Sequence, residues 1–142
     1  VNQDAVEGMK TRLLYEDHML AVLPQGHRLE GKSSLTLQDI STEPLILLDE
    51  GEHSVLLDAF HSAGLTPNLA YEVYDDYSIL SMVRQGLGIS VLYEKVVAGF
   101  EQGLSLRPIQ ESPRRRVALS WVSWDTMPYA SRRFAEFLME NR

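Results

Sequence analysis

The stretch Gln85-Gly86-Leu87-Gly88-Ile89-Ser90-Val91-Leu92 constrains the fold more than any other part of the chain. It follows a segment in which Ile79, Leu80, Val83 and Leu87 recur at helical spacing, and it runs straight into an apolar, strand-like segment. Two glycines at i and i+2 allow a tight helix-to-strand turn, with φ > 0 available at one or both. They also leave bare backbone that a ligand can approach. A helix stop and nothing more is the plainer reading, and on these residues alone both stay open.

The elements around this turn alternate. Leu13 to Leu23 reads as a strand with the polar set Glu16-Asp17-His18 inside it, and the nearly continuous apolar run Met19 to Leu23 suits a strand covered on both faces. A short helical turn over Thr36 to Ile40 and a buried strand over Leu45 to Leu48 follow. Val55, Leu56, Ala59, Phe60 and Ala63 form one apolar stripe of a helix, opened by Ser54 and closed by Gly64 with Pro67 beyond. Leu69 to Tyr74 alternates as a strand, and Asp75-Asp76 offers an N-cap to the helix that ends at the glycine turn. A short helix over Tyr93 to Ala98, a strand over Leu104 to Ile109 with Pro108 marking an edge, a strand around Val117 to Val122 and a helix begun by Asp125 and Pro128 complete the pattern. This order is that of an α/β fold. In open α/β sheets ligands bind at the carboxyl ends of strands, which here places Asp49 to Ser54 and Tyr74 to Ser78 on one rim.

Charge and composition narrow the partners. The 142 residues carry a formal net charge of -7, which disfavours direct contact with nucleic acid. The absence of cysteine excludes disulfides, thiolate metal sites and cysteine nucleophiles, and fits a reducing compartment. No apolar run approaches the roughly 20 residues that span a bilayer, so no membrane partner is expected. The opening Val1-Asn2-Gln3-Asp4 has neither an initiator methionine nor a signal-peptide pattern, so the chain reads as part of a longer one.

The ordered motifs resemble those of a known family. Leu14-Tyr15-Glu16-Asp17-His18-Met19-Leu20-Ala21-Val22-Leu23-Pro24 with Gly26-His27-Arg28-Leu29, then Leu35-x-Leu37-x-Asp39-Ile40, Glu43-Pro44-Leu45-Ile46, Ala63-Gly64-Leu65-x-Pro67 and Ser81 to Leu92, are similar in order and spacing to segments of LysR-type transcriptional regulators. The resemblance runs from about Leu13 to Leu138. It implies a cytoplasmic, bacterial effector-binding domain of the periplasmic-binding-protein type II, in which two α/β lobes joined by two crossover strands enclose a small molecule. It also implies that DNA is bound only through an N-terminal helix-turn-helix absent from this chain. On that pattern lobe II is complete and lobe I incomplete: 1–43 holds a remnant of lobe I with the first crossover, 44–110 is lobe II, and 111–142 is the return crossover strand with the last helix. An incomplete lobe leaves apolar surface to cover, so self-association is expected. Tyr93 and Arg28 stand where the family usually has proline.

The expected effector-binding residues are Glu50, His53, Ser54, Asp75, Asp76, Tyr77, Gly88, Ile89 and Ser90. Ser54 and the two aspartates are equally readable as helix caps, and Ile89 as plain strand core. A helix N-terminus attracts anions, but Glu50 and Glu52 oppose one here, which favours a cationic or neutral hydrogen-bonding effector. No metal is expected. His53 and His61 lie about 80° around and about 12 Å along one helix, too far apart to share an ion. No cofactor motif and no catalytic motif occurs, whether a nucleophile elbow, a zinc-binding H-E-x-x-H or a P-loop. Arg114-Arg115-Arg116 could contact phosphate or an acidic partner, but in a chain this acidic a solvated turn leading into a strand is the plainer reading. A transporter's solute-binding protein and an enzyme lobe on the same architecture remain the alternatives.

Overall fold

A computed structural model describes residues 10–121 and 128–140. Its strands are β1 (Lys10–Pro24), β2 (Pro44–Leu48), β3 (Asn68–Val73), β4 (Ile89–Tyr93), β5 (Leu104–Pro108) and β6 (Arg114–Trp121). Its helices are α1 (Leu37–Ser41), α2 (Val55–Ser62), α3 (Asp76–Arg84), α4 (Glu94–Val97) and α5 (Tyr129–Glu140). The arginine run, expected to lead from a turn into a strand, lies within the opening of β6 itself. The expected strand residue Val122 and helix start Asp125 lie outside the described residues.

The chain divides into two compact units, one of residues 1–17 and 115–142, the other of 18–114. The second unit takes in more than the 44–110 expected for lobe II, and packing explains why. Met19, Ala21 and Leu23 of β1 share one core with Leu45 and Leu47 of β2 and Ile89 and Val91 of β4. The second half of β1 therefore belongs to this unit.

Within it the strand order is β3-β2-β4-β1-β5. β2 runs parallel to β3 and β4, while β1 runs antiparallel to β4 and β5. Strand periodicity sends alternate residues to opposite faces, and both faces are covered. Leu45 and Leu47 meet Leu56 and Phe60 of α2 on one side. Ile46 and Leu92 meet Ile79, Leu80 and Val83 of α3 on the other. The apolar runs of β1, β2 and β4 follow from this two-sided burial. Phe60 is wholly buried, so truncating it to alanine should cost roughly 3–5 kcal/mol. β3, at the edge and with a bulge between its pairings to Leu45 and Ile46, is exposed along most of its length despite its alternating sequence. β5 forms the other edge, where the N–H that Pro108 lacks is not missed.

The helix ends are written in the sequence. Ser54 Oγ accepts the Leu57 N–H at 3.1 Å, and Asp75 Oδ1 accepts the Tyr77 N–H at 3.2 Å. Both α2 and α3 stop at a glycine with positive φ, Gly64 at 70° and Gly86 at 78°.

In the first unit, the opening part of β1 pairs with β6. α5 buries Ala135 and leaves Tyr129, Phe134 and Phe137 exposed.

Candidate functional site

Because β2 is parallel to β3, the starts of α2 and α3 emerge at the same end of the sheet. Asp49 N–H donates to Val73 O at 2.9 Å, which ties the two rim segments side by side. Glu50, His53 and Ser54 stand on the first segment, and Asp75, Asp76 and Tyr77 on the second. His53 and Tyr77 are exposed, and the Tyr77 ring meets Phe100 edge-on with centroids 5.1 Å apart.

Two of the N–H groups at the start of α2, those of Val55 and Leu57, are taken up from within the chain. Glu50 Oε2 accepts from Val55 N–H at 3.0 Å and Ser54 Oγ from Leu57 N–H. Gly51 N–H donates to Asp49 Oδ1 at 2.8 Å, which fixes the turn before the helix. At α3, Asp75 Oδ2 also accepts from the Ser78 hydroxyl at 2.9 Å. Ser54 and Asp75 are thus caps by geometry, and they bring polar side chains to the rim in the same act. Asp49, Glu50, Glu52, Asp75, Asp76 and Glu94 make this end strongly acidic.

Gly88, Ile89 and Ser90 stand away from this rim, at the far end of α3, where the order of elements in the sequence puts the glycine turn. Ile89 pairs with Leu45 and Ser90 with Ile46, so the glycine turn lies at the amino end of β2. The rim begins beyond Leu48, three residues and about 10 Å further along. Ile89 and Ser90 are also buried, at 1% and 0% exposure, and the Ser90 hydroxyl donates to Ile46 O at 2.6 Å. Gly88 is required by crowding: a Cβ there would stand 2.7 Å from Pro44 O.

One further residue, His18, comes to the rim. β1 is antiparallel to β4 with Met19 opposite Tyr93, so His18 stands just past the carboxyl end of β4, beside the start of α4 at Glu94. His18 Nδ1 lies 2.8 Å from Ser112 Oγ. The signal was in the apolar run that follows His18, which is the strand that carries it to the rim. Tyr93, in place of the family's usual proline, is buried in the core. Arg28, the other replacement, pairs with Glu43 at 3.1 Å.

Among the described residues no group of three or more histidine or acidic side chains is placed to hold a metal ion, and no helix is long and apolar enough to cross a membrane.

The family described as LysR substrate binding domain matches residues 2–142. The chain belongs to that family. The Bacillus subtilis HTH-type transcriptional regulator YvbU is 33% identical over 136 residues, covering 94% of this chain and 47% of the relative. The malonate utilization transcriptional regulator of Klebsiella pneumoniae is 28% identical over 77% of this chain and 36% of its own length. The chain spans about half the length, or less, of these LysR-domain relatives. Among solved structures, HinK, a LysR family transcriptional regulator from Pseudomonas aeruginosa, matches with a TM-score of 0.81 and 25% identity, over 99% of this chain and 52% of HinK. The CcmR regulatory domain of Synechocystis in complex with 2-PG superposes with a TM-score of 0.84 at 20% identity, over 99% of this chain and 70% of that domain, a likeness of fold. The periplasmic-binding-protein type II fold expected for a LysR effector-binding domain follows from these matches.

Proposed function

We propose that this chain is the effector-sensing part of a bacterial, cytoplasmic LysR-type transcriptional regulator. It binds a small molecule at the rim formed by the starts of α2 and α3, and thereby controls DNA binding by a helix-turn-helix outside these 142 residues. The observation that carries this reading is the Asp49–Val73 hydrogen bond, which sets two helix starts and their polar side chains next to each other. Regulation then needs no chemistry at the site. A ligand shifts the protein between states by the difference in its affinity for them.

The rim's charge suggests the class of ligand. A carboxylate of the chain already occupies the start of α2, and acidic side chains surround it. The favoured effector is neutral or cationic and rich in hydrogen-bond donors, with Glu50, His53, Ser54, Asp75, Asp76 and Tyr77 as its contacts.

A thermal-shift screen against small metabolites grouped by charge tests this. Binding to the folded state alone raises stability by about 2.7 kcal/mol at a hundredfold excess over Kd. Amines, amides and polyols should raise the midpoint, and His53→Ala, which removes no cap, should abolish the rise. A response confined to dicarboxylates would refute the charge argument. A hit untouched by His53→Ala and Asp75→Asn would move the site elsewhere.

We further propose that the chain self-associates. The exposed Phe134 and Phe137 of α5 support this. Sedimentation should show a concentration-dependent mass that Phe134→Lys reduces, and a strictly monomeric parent chain would end the proposal.

A further inference from the structure

Tyr77 stands at the rim with 59% of its surface exposed, so the core does not fix its ring. A tyrosine in such a place samples several staggered χ1 wells unless a neighbour selects one. Phe100 is that neighbour. It lies outside the expected effector contacts and is itself 42% exposed. Its ring meets that of Tyr77 at 70°, with the centroids 5.1 Å apart. This edge-to-face arrangement is one that the ring quadrupoles favour.

Phe100 can select an orientation only if its own loop is held, and α3 holds it. Tyr77 and Arg84 are both on α3, and two helical turns bring them to one face, about 10 Å apart along the axis. Helical side chains lean toward the N-terminus, so Arg84 reaches back along that face toward Tyr77. Its Nη2 donates to Phe100 O at 2.8 Å and its Nε to Gln102 O at 2.9 Å. Both bonds are charge-assisted. The loop is also closed on itself. Phe100 N–H donates to Val97 O at 2.9 Å, Gly99 N–H to Glu101 Oε1 at 3.0 Å, and Leu104 N–H to Glu101 O at 2.9 Å. One helix thus carries the rim tyrosine at its start and the anchor of that tyrosine's neighbour at its end.

We propose that Phe100 is a positioning residue of the effector site and that Arg84 acts through it. The Phe100 ring sets the orientation that Tyr77 presents at the rim, and Arg84 holds the loop that carries Phe100. The proposal rests on the reading of Tyr77 as an effector contact. Neither Phe100 nor Arg84 touches the ligand. Their part is preorganisation: an effector that needs one orientation of Tyr77 finds it already set, and it loses affinity when the ring is free to turn.

Nuclear magnetic resonance of the whole chain with isotope-labelled tyrosine reads the ring directly, and Tyr77→Phe assigns its signal. In the ligand-free parent, scalar couplings across the Tyr77 Cα–Cβ bond should report one dominant rotamer, and the ring signals should be displaced by the Phe100 ring current. Phe100→Leu keeps apolar bulk without the ring, and Arg84→Met keeps the stem without the donors. Each should average the couplings and remove the displacement, whereas Phe100→Tyr should retain both. Phe100 is exposed, so Phe100→Leu decides the matter if Arg84→Met fails to fold. Ethanolamine, which joins a cation and a hydroxyl in one small molecule, is the ligand probe. It should move the Tyr77 amide signal of the parent, with a Kd about threefold higher in Phe100→Leu, as the loss of one aromatic pair implies. Phe100→Tyr should restore the parent's Kd. Unchanged Tyr77 couplings in Phe100→Leu overturn the proposal, as does an equal Kd, and unchanged couplings in folded Arg84→Met overturn Arg84's part in it. A parent that ethanolamine leaves unmoved refutes the ligand class proposed for the rim, and the couplings then decide the positioning alone.

Discussion

Glu50 Oε2 accepts the Val55 N–H at 3.0 Å, so a carboxylate from five residues upstream fills the helix end where an anionic ligand would otherwise sit. Its Oε1 is buried without a hydrogen-bond partner among the described residues. Ser54 takes the Leu57 N–H of the same first turn. Glu50→Ala and Ser54→Ala should each cost about 1 kcal/mol in urea denaturation, the usual worth of a cap. The double variant should cost less than the sum, since both side chains hold one helix end. Glu50→Gln keeps an acceptor for Val55 and loses the charge. That variant should respond to carboxylates in the thermal-shift screen where the parent does not. Equal responses would mean that Glu50 does not set ligand charge.

Acid stability should depend on two carboxylates far from the rim. The Gly26 N–H at 2.6 Å, and then the Ser105 hydroxyl at 2.9 Å, hold the Glu30 carboxyl below its ordinary range. The Lys32 ammonium at 2.8 Å, and then the Thr36 N–H at 3.0 Å, do the same for Asp39. A carboxyl with a lowered folded-state pKa adds stability that is complete above its unfolded pKa and is lost as the pH falls through the folded value. The loss should therefore begin at roughly pH 4–5, where unfolded carboxylates take up protons, and deepen below it. Urea midpoints measured from pH 6 to pH 3 should fall less steeply in Glu30→Gln and Asp39→Asn than in the parent. Parallel profiles would count against both assignments.

The elements of the second unit were legible because local signals agreed with one another. Ser54 and Asp75 are strong caps, Gly64 and Gly86 are helix stops, and the stripe ending at Phe60 has a single period. What was not legible was distance across the sheet. The order of elements places the glycine turn at the far end of α3 from the rim, and the parallel pairing of β2 with β4 adds that Ile89 and Ser90 lie level with Leu45 and Ile46. The pairing of Arg115 with Asp17 was illegible for a similar reason. Asp17 and Arg115 lie 98 positions apart in the chain, and nothing local in an arginine run shows which acidic residues it will face.

Ser90 distinguishes a structural hydroxyl from a ligand contact. Its hydroxyl donates to Ile46 O across the β2–β4 pair and has no exposure. Ser90→Ala should lower stability by about 1 kcal/mol, the ordinary net worth of a buried hydrogen bond. It should leave any ligand-induced rise in midpoint unchanged when measured from the variant's own baseline. Loss of that rise with little loss of stability would return Ser90 to the effector site.

Gly86 and Gly88 should respond differently to the same substitution, because different physics requires each. Gly86 has φ 78° with open space where a Cβ would go, so alanine there meets conformational strain alone. Gly88 has no positive φ. A Cβ would stand 2.7 Å from Pro44 O and 3.3 Å from Ile46 Cγ1, at the join of β2 and β4, where the backbone carbonyl has little room to yield. Gly86→Ala should cost about 1 kcal/mol, and Gly88→Ala about 1–3 kcal/mol, as overpacking does. Asparagine separates the two causes, since it tolerates the left-handed region but is larger than alanine. Gly86→Asn should recover most of what Gly86→Ala loses, whereas Gly88→Asn should be worse than Gly88→Ala. If asparagine rescued both positions, backbone conformation would govern the whole turn and the close approach to Pro44 would not be what demands glycine at 88.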